Sequence, residues 1–266
     1  MSRSARRPRH RSLPAAVGLA LAAALLVGCS DDPGAPEPSP TAAPTADPTS
    51  PSPTPEPEPE PEPEFDRGQH SIDDPASIWV VSNKTRPLDP IEYHPADLVM
   101  PQGVENEFSQ PLREPAARAV EAMHAAAVAD GIDFRIISAY RDYGTQVVLY
   151  DGYVARDGQE RADTYSARPG HSEHQTGLVA DFDDWGECYL RACFGNTSAG
   201  QWLREHAAEH GFIVRYPESL DHVTGFTFEP WHFRYVGPEL ALEMRESGIL
   251  TLEEFFDLPA APDYVD

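Results

Sequence analysis

The sequence predicts an α+β fold for residues 65–266, with an antiparallel sheet flanked by helices. Helix-like and strand-like patterns are mixed along this part of the chain, without the regular strand–helix–strand alternation that is typical of a parallel sheet. The region is long enough to bury the core of one folded domain of ordinary size, and it contains no internal repeat. These observations favour a single α+β domain.

Four helices are predicted from apolar residues at helical spacing. They span 115–129, 143–156, 199–210 and 239–246. The first is rich in alanine and is followed by Gly131, and Gly211 follows the third. A glycine directly after a periodic apolar segment is a common place for a helix to end.

The strands are predicted from short runs rich in β-branched and aromatic residues. They are expected at 78–82, 134–139, 178–182 and 212–216, with an aromatic, strand-like run at 226–236. The run at 178–182 is apolar except for Asp181. The sequence therefore predicts a buried strand that carries one carboxylate.

The chain is strongly acidic, with 20 Lys and Arg against 44 Asp and Glu and a formal net charge of -24. Phosphate binding needs clustered positive charge, so this balance argues against a nucleic-acid partner. We expect none.

The first residues have the features of an export signal. Five arginines, and no acid, precede an uncharged apolar run from Leu13 to Val27, which is too short for a comfortable transmembrane helix. The run ends in Leu26-Val27-Gly28-Cys29, which resembles the lipobox of bacterial lipoproteins. The resemblance implies a signal peptide over 1–28, cleavage before Cys29 and attachment of lipid to that cysteine. Plain secretion and an uncleaved anchor are the alternatives.

Residues 29–64 are predicted to be a disordered linker. Nearly half of the 28 prolines lie between Pro33 and Pro63, and Glu and Pro alternate from Glu56 to Glu64. Residues 30–64 contain no aromatic or large aliphatic side chain, so they have nothing to bury that would offset the entropy of ordering. Alternating prolines and like charges favour an extended chain that spans on the order of 100 Å. We interpret the segment as a spacer between a membrane and a catalytic domain, although an inert linker would look the same.

Cys188 and Cys193 are the two cysteines outside the signal region. In an exported protein such a pair is most simply a disulfide that closes a short loop. A metal site built on cysteine would need further cysteines, and residues 65–266 contain none. We therefore predict the Cys188–Cys193 bridge.

One histidine pattern matches a known metal motif but has a simpler explanation. His206-Ala-Ala-Glu209-His210 matches the H-x-x-E-H pattern of inverted zinc peptidases. Both histidines, however, fall in the last turns of a predicted helix, where a positive imidazole interacts favourably with the helix dipole. We interpret them as surface residues of an ordinary helix.

A second group of polar residues is a stronger metal-site candidate. His171 and His174 lie in a glycine-rich stretch that leads directly to Asp181 in its apolar strand, and His232 lies among aromatic residues further on. A buried carboxylate is costly unless it is paired or bound to a metal. Histidine and aspartate are suitable zinc ligands, but a structural Asp–His pair explains the pattern equally well.

The wider motif favours a zinc site over a structural Asp–His pair. Ser172-x-His174-x-x-Gly177-x-Val179-x-Asp181, followed by Glu229-Pro-Trp-His232, resembles the VanY-type zinc D-alanyl-D-alanine carboxypeptidases. Ser138-Ala-Tyr-Arg141 and Gln146 fit the same family, and the likeness covers about residues 78–236. One departure is Val179, where the family usually has alanine. This exchange of one apolar residue for another leaves the expected metal ligands in place.

The resemblance implies a role for each matched residue. His174, Asp181 and His232 are expected to bind one Zn²⁺ per chain, in a cleft of the hedgehog-like D,D-peptidase fold. Glu229 is the expected catalytic residue, which takes a proton from the attacking water and later gives one to the leaving amine. Residues expected to bind substrate are Arg141, for the terminal carboxylate, with Ser172 and Gln146.

Glu229 and His232 would point to opposite faces of a straight strand. For both side chains to reach one site, Pro230 is expected to interrupt the strand there.

The implied function is removal of the C-terminal D-alanine from peptidoglycan stem peptides, by a monomer anchored through lipid to the outer face of the bacterial cell membrane. Three alternatives remain: an L,D-carboxypeptidase, an endopeptidase that cuts inside stem peptides, and a non-catalytic wall-binding lipoprotein. The presence of both Glu229 and Arg141 argues against the last. An endopeptidase would not need Arg141.

Overall fold

A four-stranded antiparallel sheet lies at the centre of the computed structural model, which describes residues 65–265. In chain order the strands and helices are β1 (Leu98–Val99), β2 (Leu112–Arg113), α1 (Glu114–Ala129), β3 (Arg135–Ser138), α2 (Tyr143–Asp157), α3 (Gln159–Ala162), β4 (Val179–Asp183), α4 (Ser198–His206), β5 (Phe212–Val214), α5 (Asp221–Thr224), β6 (His232–Tyr235), α6 (Pro238–Ser247) and α7 (Leu252–Phe255). The central sheet has the order β3-β4-β6-β5, and β1 and β2 form a separate antiparallel pair. The expected α+β class is confirmed.

The register of the sheet brings distant parts of the sequence together. Asp181 in β4 lies opposite His232 in β6 and opposite Ser138 in β3. Residues directly opposite each other in a sheet project to the same face. One row across the middle of the sheet therefore places two of the expected metal ligands side by side.

The main core lies between this sheet and helices α1 and α4. Helix α1 begins with Pro115 in its first turn, where the missing N–H costs nothing, and it buries Val120 and Met123 on one face. The side chains of Phe134 and Phe182 pack edge to face in the same core, with ring centroids 4.9 Å apart. A second cluster joins Trp79 and Val81 to α6 and α7.

Two arginines and two glutamates form an ionic network inside the protein. Both Arg215 and Arg234 donate to one oxygen of Glu173 at 2.9 Å. Arg215 also makes a paired contact with Glu253, at 2.7 and 2.9 Å. All four side chains are fully buried. A buried charge is tolerable only when it is paired in this way, so the network fixes the relative positions of the sheet and α7.

The strand expected at 78–82 is wrong. Trp79, Val80 and Val81 are buried as an apolar run suggests, but their backbone joins no sheet. The Arg234 guanidinium donates to the carbonyls of Ile78 and Val80, and Trp79 Nε1 donates to the carbonyl of Val236. Side chains thus provide hydrogen bonds that a neighbouring strand would otherwise supply.

Several other boundaries are shorter than expected. The aromatic run at 226–236 is a strand only over His232–Tyr235, and the strand at 212–216 ends at Val214. The third helix is α-helical only to His206, and a 3-10 turn continues it over Ala207–His210. Apolar and aromatic composition marked the buried segments correctly but did not mark where backbone pairing stops.

The disulfide between Cys188 and Cys193 is present, with the two Cα atoms 5.5 Å apart.

Over residues 65–265, no helix has both the length and the apolar character needed to cross a membrane. The signal peptide, Cys29 and the linker lie outside the described residues, so these assignments and the boundary at residue 65 stay predictions.

Candidate active site

His174 is held by a short 3-10 turn, Glu173–Thr176, just before β4. The turn ends at Gly177, whose φ of 70° is in the left-handed region and whose N–H donates to the His174 carbonyl at 3.2 Å. A Cβ at Gly177 would also lie 3.0 Å from side-chain atoms of Arg113 and Leu98. Glycine is therefore needed here both for conformation and for space.

The orientation of the His174 ring suits a metal ligand. Nδ1 lies 2.7 Å from the Ala139 carbonyl oxygen, which can only accept, so Nδ1 carries the proton. The lone pair is then on Nε2, which lies 3.4 Å from Asp181 Oδ2. Burial, together with the charge of Arg141, lowers the pKa of His174 and keeps the ring in the neutral form that binds metal.

Asp181 and His232 complete a buried group of three. His232 Nδ1 is 3.1 Å from Asp181 Oδ1, yet this oxygen has no hydrogen-bond partner among the described residues. The candidate ligand atoms all lie within 4.8 Å of one another. Atoms about 2.1 Å from a shared tetrahedral ion are roughly 3.4 Å apart, close to the 3.4 and 3.1 Å that separate Asp181 oxygens from His174 Nε2 and His232 Nδ1, so this set of two nitrogens and one carboxylate is suited to zinc.

Glu229 approaches the same place from a turn that precedes β6. The His232 N–H donates to the Glu229 carbonyl at 3.1 Å, with Pro230 and Trp231 between them, and the Glu229 N–H donates to the Tyr216 carbonyl. The expected interruption at Pro230 is confirmed. It allows Glu229 Oε2 to lie 3.6 Å from His232 Nδ1, although the two residues would face apart in a strand.

The surroundings of Glu229 change the pKa of its carboxyl. Burial and the negative charge of Asp181 raise the pKa of the Glu229 carboxyl well above its ordinary value, and the positive charge of Arg141 only partly offsets them. A carboxyl with a raised pKa beside a metal-ligand group is suited to proton transfer near neutral pH.

Arg141 follows β3 and brings a positive charge to this acidic group. Its backbone N–H donates to the His174 carbonyl at 3.3 Å, which ties the arginine to the metal-ligand turn. Burial lowers the pKa of Arg141, while Asp181 and Glu229 counteract the shift. The buried Nε has no hydrogen-bond partner among the described residues. An arginine with an unsatisfied donor is suited to bind an incoming carboxylate.

Ser172 and Gln146 are both buried. Ser172 precedes the His174 turn, and its carbonyl accepts from the Gln175 N–H at 3.1 Å. Gln146 Nε2 donates to the Ala167 carbonyl at 2.6 Å, while its buried Oε1 has no partner among the described residues. The structure thus gives Gln146 a supporting contact to the loop before His171. A direct role of either residue in substrate binding stays a prediction.

His206 and His210, the histidines of the H-x-x-E-H match, lie where the interpretation as ordinary helix residues expects them. His206 packs on the Trp202 ring, and Glu209 forms an ion pair with Arg245 at 3.1 Å. In residues 65–265, the one group of three His, Cys, Asp or Glu side chains close enough to hold a metal ion is His174, Asp181 and His232. The H-x-x-E-H match therefore has no geometric support.

Comparison with known proteins identifies the family. A family model described as VanY, D-alanyl-D-alanine carboxypeptidase, matches residues 109–238. The chain is also 38% identical over 196 residues to the Bacillus subtilis protein YodJ, named as a candidate carboxypeptidase, and the match covers 71% of each protein. The chain belongs to the VanY family of D-alanyl-D-alanine carboxypeptidases. This is a family of zinc-dependent peptidases, and the protein is a hydrolase.

Solved structures agree with the VanY-family assignment. The LdcB LD-carboxypeptidase is 39% identical with a TM-score of 0.64, and the match covers 69% of this chain and 87% of that one. The vancomycin-resistance D,D-pentapeptidase VanY of a VanB-type cassette, solved with Zn(II), is 30% identical with a TM-score of 0.56. That match covers 66% of this chain and 97% of the VanY chain.

The ionic network behind the VanY-family site was not found from the sequence. Glu173 lies between Ser172 and His174 in the motif but turns away from the metal-ligand group, to Arg215 and Arg234. The usable signal was the presence of Arg215 and Arg234 in segments predicted to be strand-like, because an arginine that becomes buried requires an acidic partner. Glu253, the second partner, lies far along the chain in α7, and nothing in its local sequence indicates the pairing.

Proposed function

We propose that this VanY-family chain removes the C-terminal D-alanine from peptidoglycan stem peptides, using one zinc ion held by His174, Asp181 and His232. One observation carries the proposal. The buried candidate ligands lie together with a carboxyl of raised pKa, Glu229, and an arginine with an unsatisfied donor, Arg141. Such a group can hold a metal, move a proton and bind a terminal carboxylate at one site.

Each residue has a separate task in this reaction. A bound zinc ion supplies Lewis acidity, which activates water and polarises the scissile carbonyl. Glu229 accepts the proton of the attacking water and returns a proton to the departing amine of D-alanine. Arg141 binds the free carboxylate of the substrate by charge-assisted hydrogen bonds, so that cleavage occurs at the last peptide bond.

A second candidate activity is L,D-carboxypeptidase, and it is favoured by a specific observation. The LdcB LD-carboxypeptidase has higher identity and a higher TM-score to this chain than the D,D-pentapeptidase VanY. The two activities differ in the residue before the terminal D-alanine, which is D-alanine in a pentapeptide stem and an L-centre in a tetrapeptide stem.

Incubation of the purified protein with muramyl pentapeptide and, separately, muramyl tetrapeptide tests the proposal. The expected result is release of D-alanine from the pentapeptide, with the tetrapeptide left intact. Glu229→Gln should reduce the rate by about 10²–10⁴-fold, which excludes a contaminating peptidase. Cleavage of the tetrapeptide alone would establish the second candidate, cleavage inside the stem would show an endopeptidase, and no cleavage of either would favour a wall-binding role.

We also propose that the protein acts at the outer face of the bacterial cell membrane, anchored by lipid on Cys29. The lipobox resemblance at Leu26 to Cys29 and the proline- and glutamate-rich composition of the segment up to residue 64 support this arrangement. A substrate outside the cytoplasm and the disulfide at Cys188 and Cys193 are consistent with it.

A further inference from the structure

The loop that follows β4 exposes large apolar side chains. Trp185, Tyr189 and Leu190 keep 44%, 37% and 45% of their surface accessible. All three lie between the end of β4 and Cys193, which the disulfide ties to Cys188. We refer to Trp185, Tyr189 and Leu190 as the aromatic loop surface. Neighbouring apolar residues exposed in this way commonly mark a binding surface.

The aromatic loop surface is held in a defined conformation. Trp185 and Leu190 have φ angles of 58° and 49°, in the left-handed region that large side chains rarely adopt. The Trp185 N–H donates to Asp183 at 2.9 Å, and its indole N–H donates to Glu105 at 3.2 Å. Conformations of this kind persist when their surroundings enforce them, and they concentrate at functional sites.

A positively charged side chain lies near the Trp185 and Tyr189 rings. The Arg135 guanidinium lies 5.6 Å from the centre of the Trp185 ring and 6.0 Å from that of Tyr189. Arg135 is itself fixed by Asp183, at 3.0 Å. The rings are therefore placed by contacts on the protein side, while a large part of each remains accessible to a ligand.

The aromatic loop surface lies close to the candidate active site. Asp181 and Asp183 project to the same face of β4 because they are two residues apart, a rise of about 7 Å. Burial raises the pKa of the Tyr189 hydroxyl, and the charges of Glu107, Asp183 and Asp181 add to the shift. A five-residue stem peptide spans at most about 17 Å, more than twice the rise from Asp181 to Asp183, so the length of a stem is compatible with a ligand on this surface that is joined to a peptide terminus near Asp181.

The chemistry of the surroundings selects among ligands. Carboxylates surround the aromatic loop surface, since Glu105 and Glu107 contact Arg135, and Asp184 and Glu187 lie within the loop itself. They would repel an anionic membrane or an anionic polymer. An uncharged sugar fits both features, because its C–H face packs on aromatic rings and its hydroxyls donate to carboxylates.

We propose that the aromatic loop surface binds the uncharged, N-acetylated glycan strand from which stem peptides branch, at a site separate from the one that binds the peptide terminus. The choice of this glycan among sugars rests on the proposed function. The surface would hold the enzyme on polymeric wall material and favour stems that are still attached to sugar.

A binding titration with chitotetraose, an uncharged β-1,4-linked N-acetylglucosamine tetramer, tests the proposal without any catalytic step. Wild-type protein should bind the sugar with a change in tryptophan fluorescence, confirmed by calorimetry. Trp185→Ala should weaken binding by about tenfold, as loss of a central aromatic contact does. Trp185→Phe, which keeps a ring face, should recover most of the affinity. The matched control is Val128→Ala, an exposed apolar residue at the end of α1 that should leave binding unchanged.

The second measurement compares kcat/KM for disaccharide-linked pentapeptide and free pentapeptide. Wild type should prefer the disaccharide-linked substrate, and Trp185→Ala should lower that preference ratio while Val128→Ala leaves it unchanged. If neither peptide is cleaved, the proposed function fails, and the titration still decides the glycan site. Failure of wild type to bind chitotetraose, equal binding by Trp185→Ala, or binding of phosphatidylglycerol vesicles that Trp185→Ala abolishes would each overturn the glycan proposal.

Discussion

At the scale of single residues, Glu229 is the group whose chemistry depends most on its surroundings. Its backbone is fixed by the hydrogen bond to Tyr216 and by the turn to His232, and its buried carboxyl is close enough to Asp181 for that charge to raise its pKa. Two buried carboxyls near each other cannot both be charged without cost. In the metal-free protein the cost falls on Glu229, whose pKa is raised well above its ordinary value.

The raised pKa of Glu229 predicts a pH-dependent gain in stability for Glu229→Gln in metal-free protein. Above about pH 4.5 the unfolded chain ionises this group while the folded protein keeps it protonated, so unfolding releases a proton and stability falls as the pH rises toward the folded pKa. Glutamine does not ionise, so Glu229→Gln removes this loss of stability. The variant should be more stable than wild type at pH 7 and match it near pH 4, measured by urea unfolding with chelator present.

Glu218→Gln is the control, because it makes the same change at an exposed position. It should show no such pH dependence. An equal stability of Glu229→Gln and wild type at both pH values would contradict the raised pKa.

Arg141→Ala should damage recognition of the substrate carboxylate. A buried, hydrogen-bonded charge pair is worth about 2–5 kcal/mol, so kcat/KM on a free-acid peptide should fall about 30-fold or more. A peptide with an amidated C-terminus should already be poor for wild type and should lose little further. Arg161→Ala, at an exposed position in α3, is the control and should change neither rate. Equal losses on both peptides would show that Arg141 supports the structure instead.

At the scale of helices and strands, local sequence pattern was a good guide where one face of an element is buried. The alanine-rich helix predicted over 115–129 and the strand at 178–182 each lie within one or two residues of the observed α1 and β4. The sequence pattern was a poor guide where side chains, and not a neighbouring strand, form hydrogen bonds with the backbone. The segment 78–82 is as apolar as a strand, but Arg234 binds its carbonyls, and that contact spans more than 150 residues of sequence.

Glu253→Gln tests the ionic network that α7 contributes to the fold. The change leaves the fully buried Arg215 without one of its two negative partners, which should cost about 3–5 kcal/mol of unfolding free energy. Chemical denaturation at neutral pH measures it. Glu254→Gln makes the same substitution at the next, exposed position and should cost less than about 0.5 kcal/mol. If both variants were equally stable, the network would not be what fixes α7 to the sheet.

At the scale of the whole molecule, the candidate site was found from the sequence because a motif ties residue types to spacing. His174, Asp181 and His232 come from three separate segments, and periodicity alone left a structural Asp–His pair equally possible. The fold supplies what spacing could not, namely the register that sets Asp181 opposite His232 and the turn that brings Glu229 beside them. The partners of Glu173 stayed hidden because they depend on tertiary contacts.

The proposed lipid anchor at Cys29 predicts where the protein resides in the cell. Cys29→Ala should release active enzyme into the medium, because the several acyl chains of a lipoprotein anchor hold a protein at the membrane and the variant lacks the cysteine that would carry them. Fractionation of cells expressing each form measures this, with Cys188→Ala as a cysteine control that should stay with the membrane. Equal membrane retention of Cys29→Ala and wild type would show that the anchor assignment is wrong.

The zinc content of the purified protein tests the central claim most directly. Wild type should contain about one zinc per chain, and His232→Ala should contain almost none, because three protein ligands are needed to hold the ion. The double variant His206→Ala, His210→Ala removes the alternative H-x-x-E-H histidines and should keep about one zinc. Zinc retained by His232→Ala and lost from the double variant would contradict the account and move the metal site to the helix.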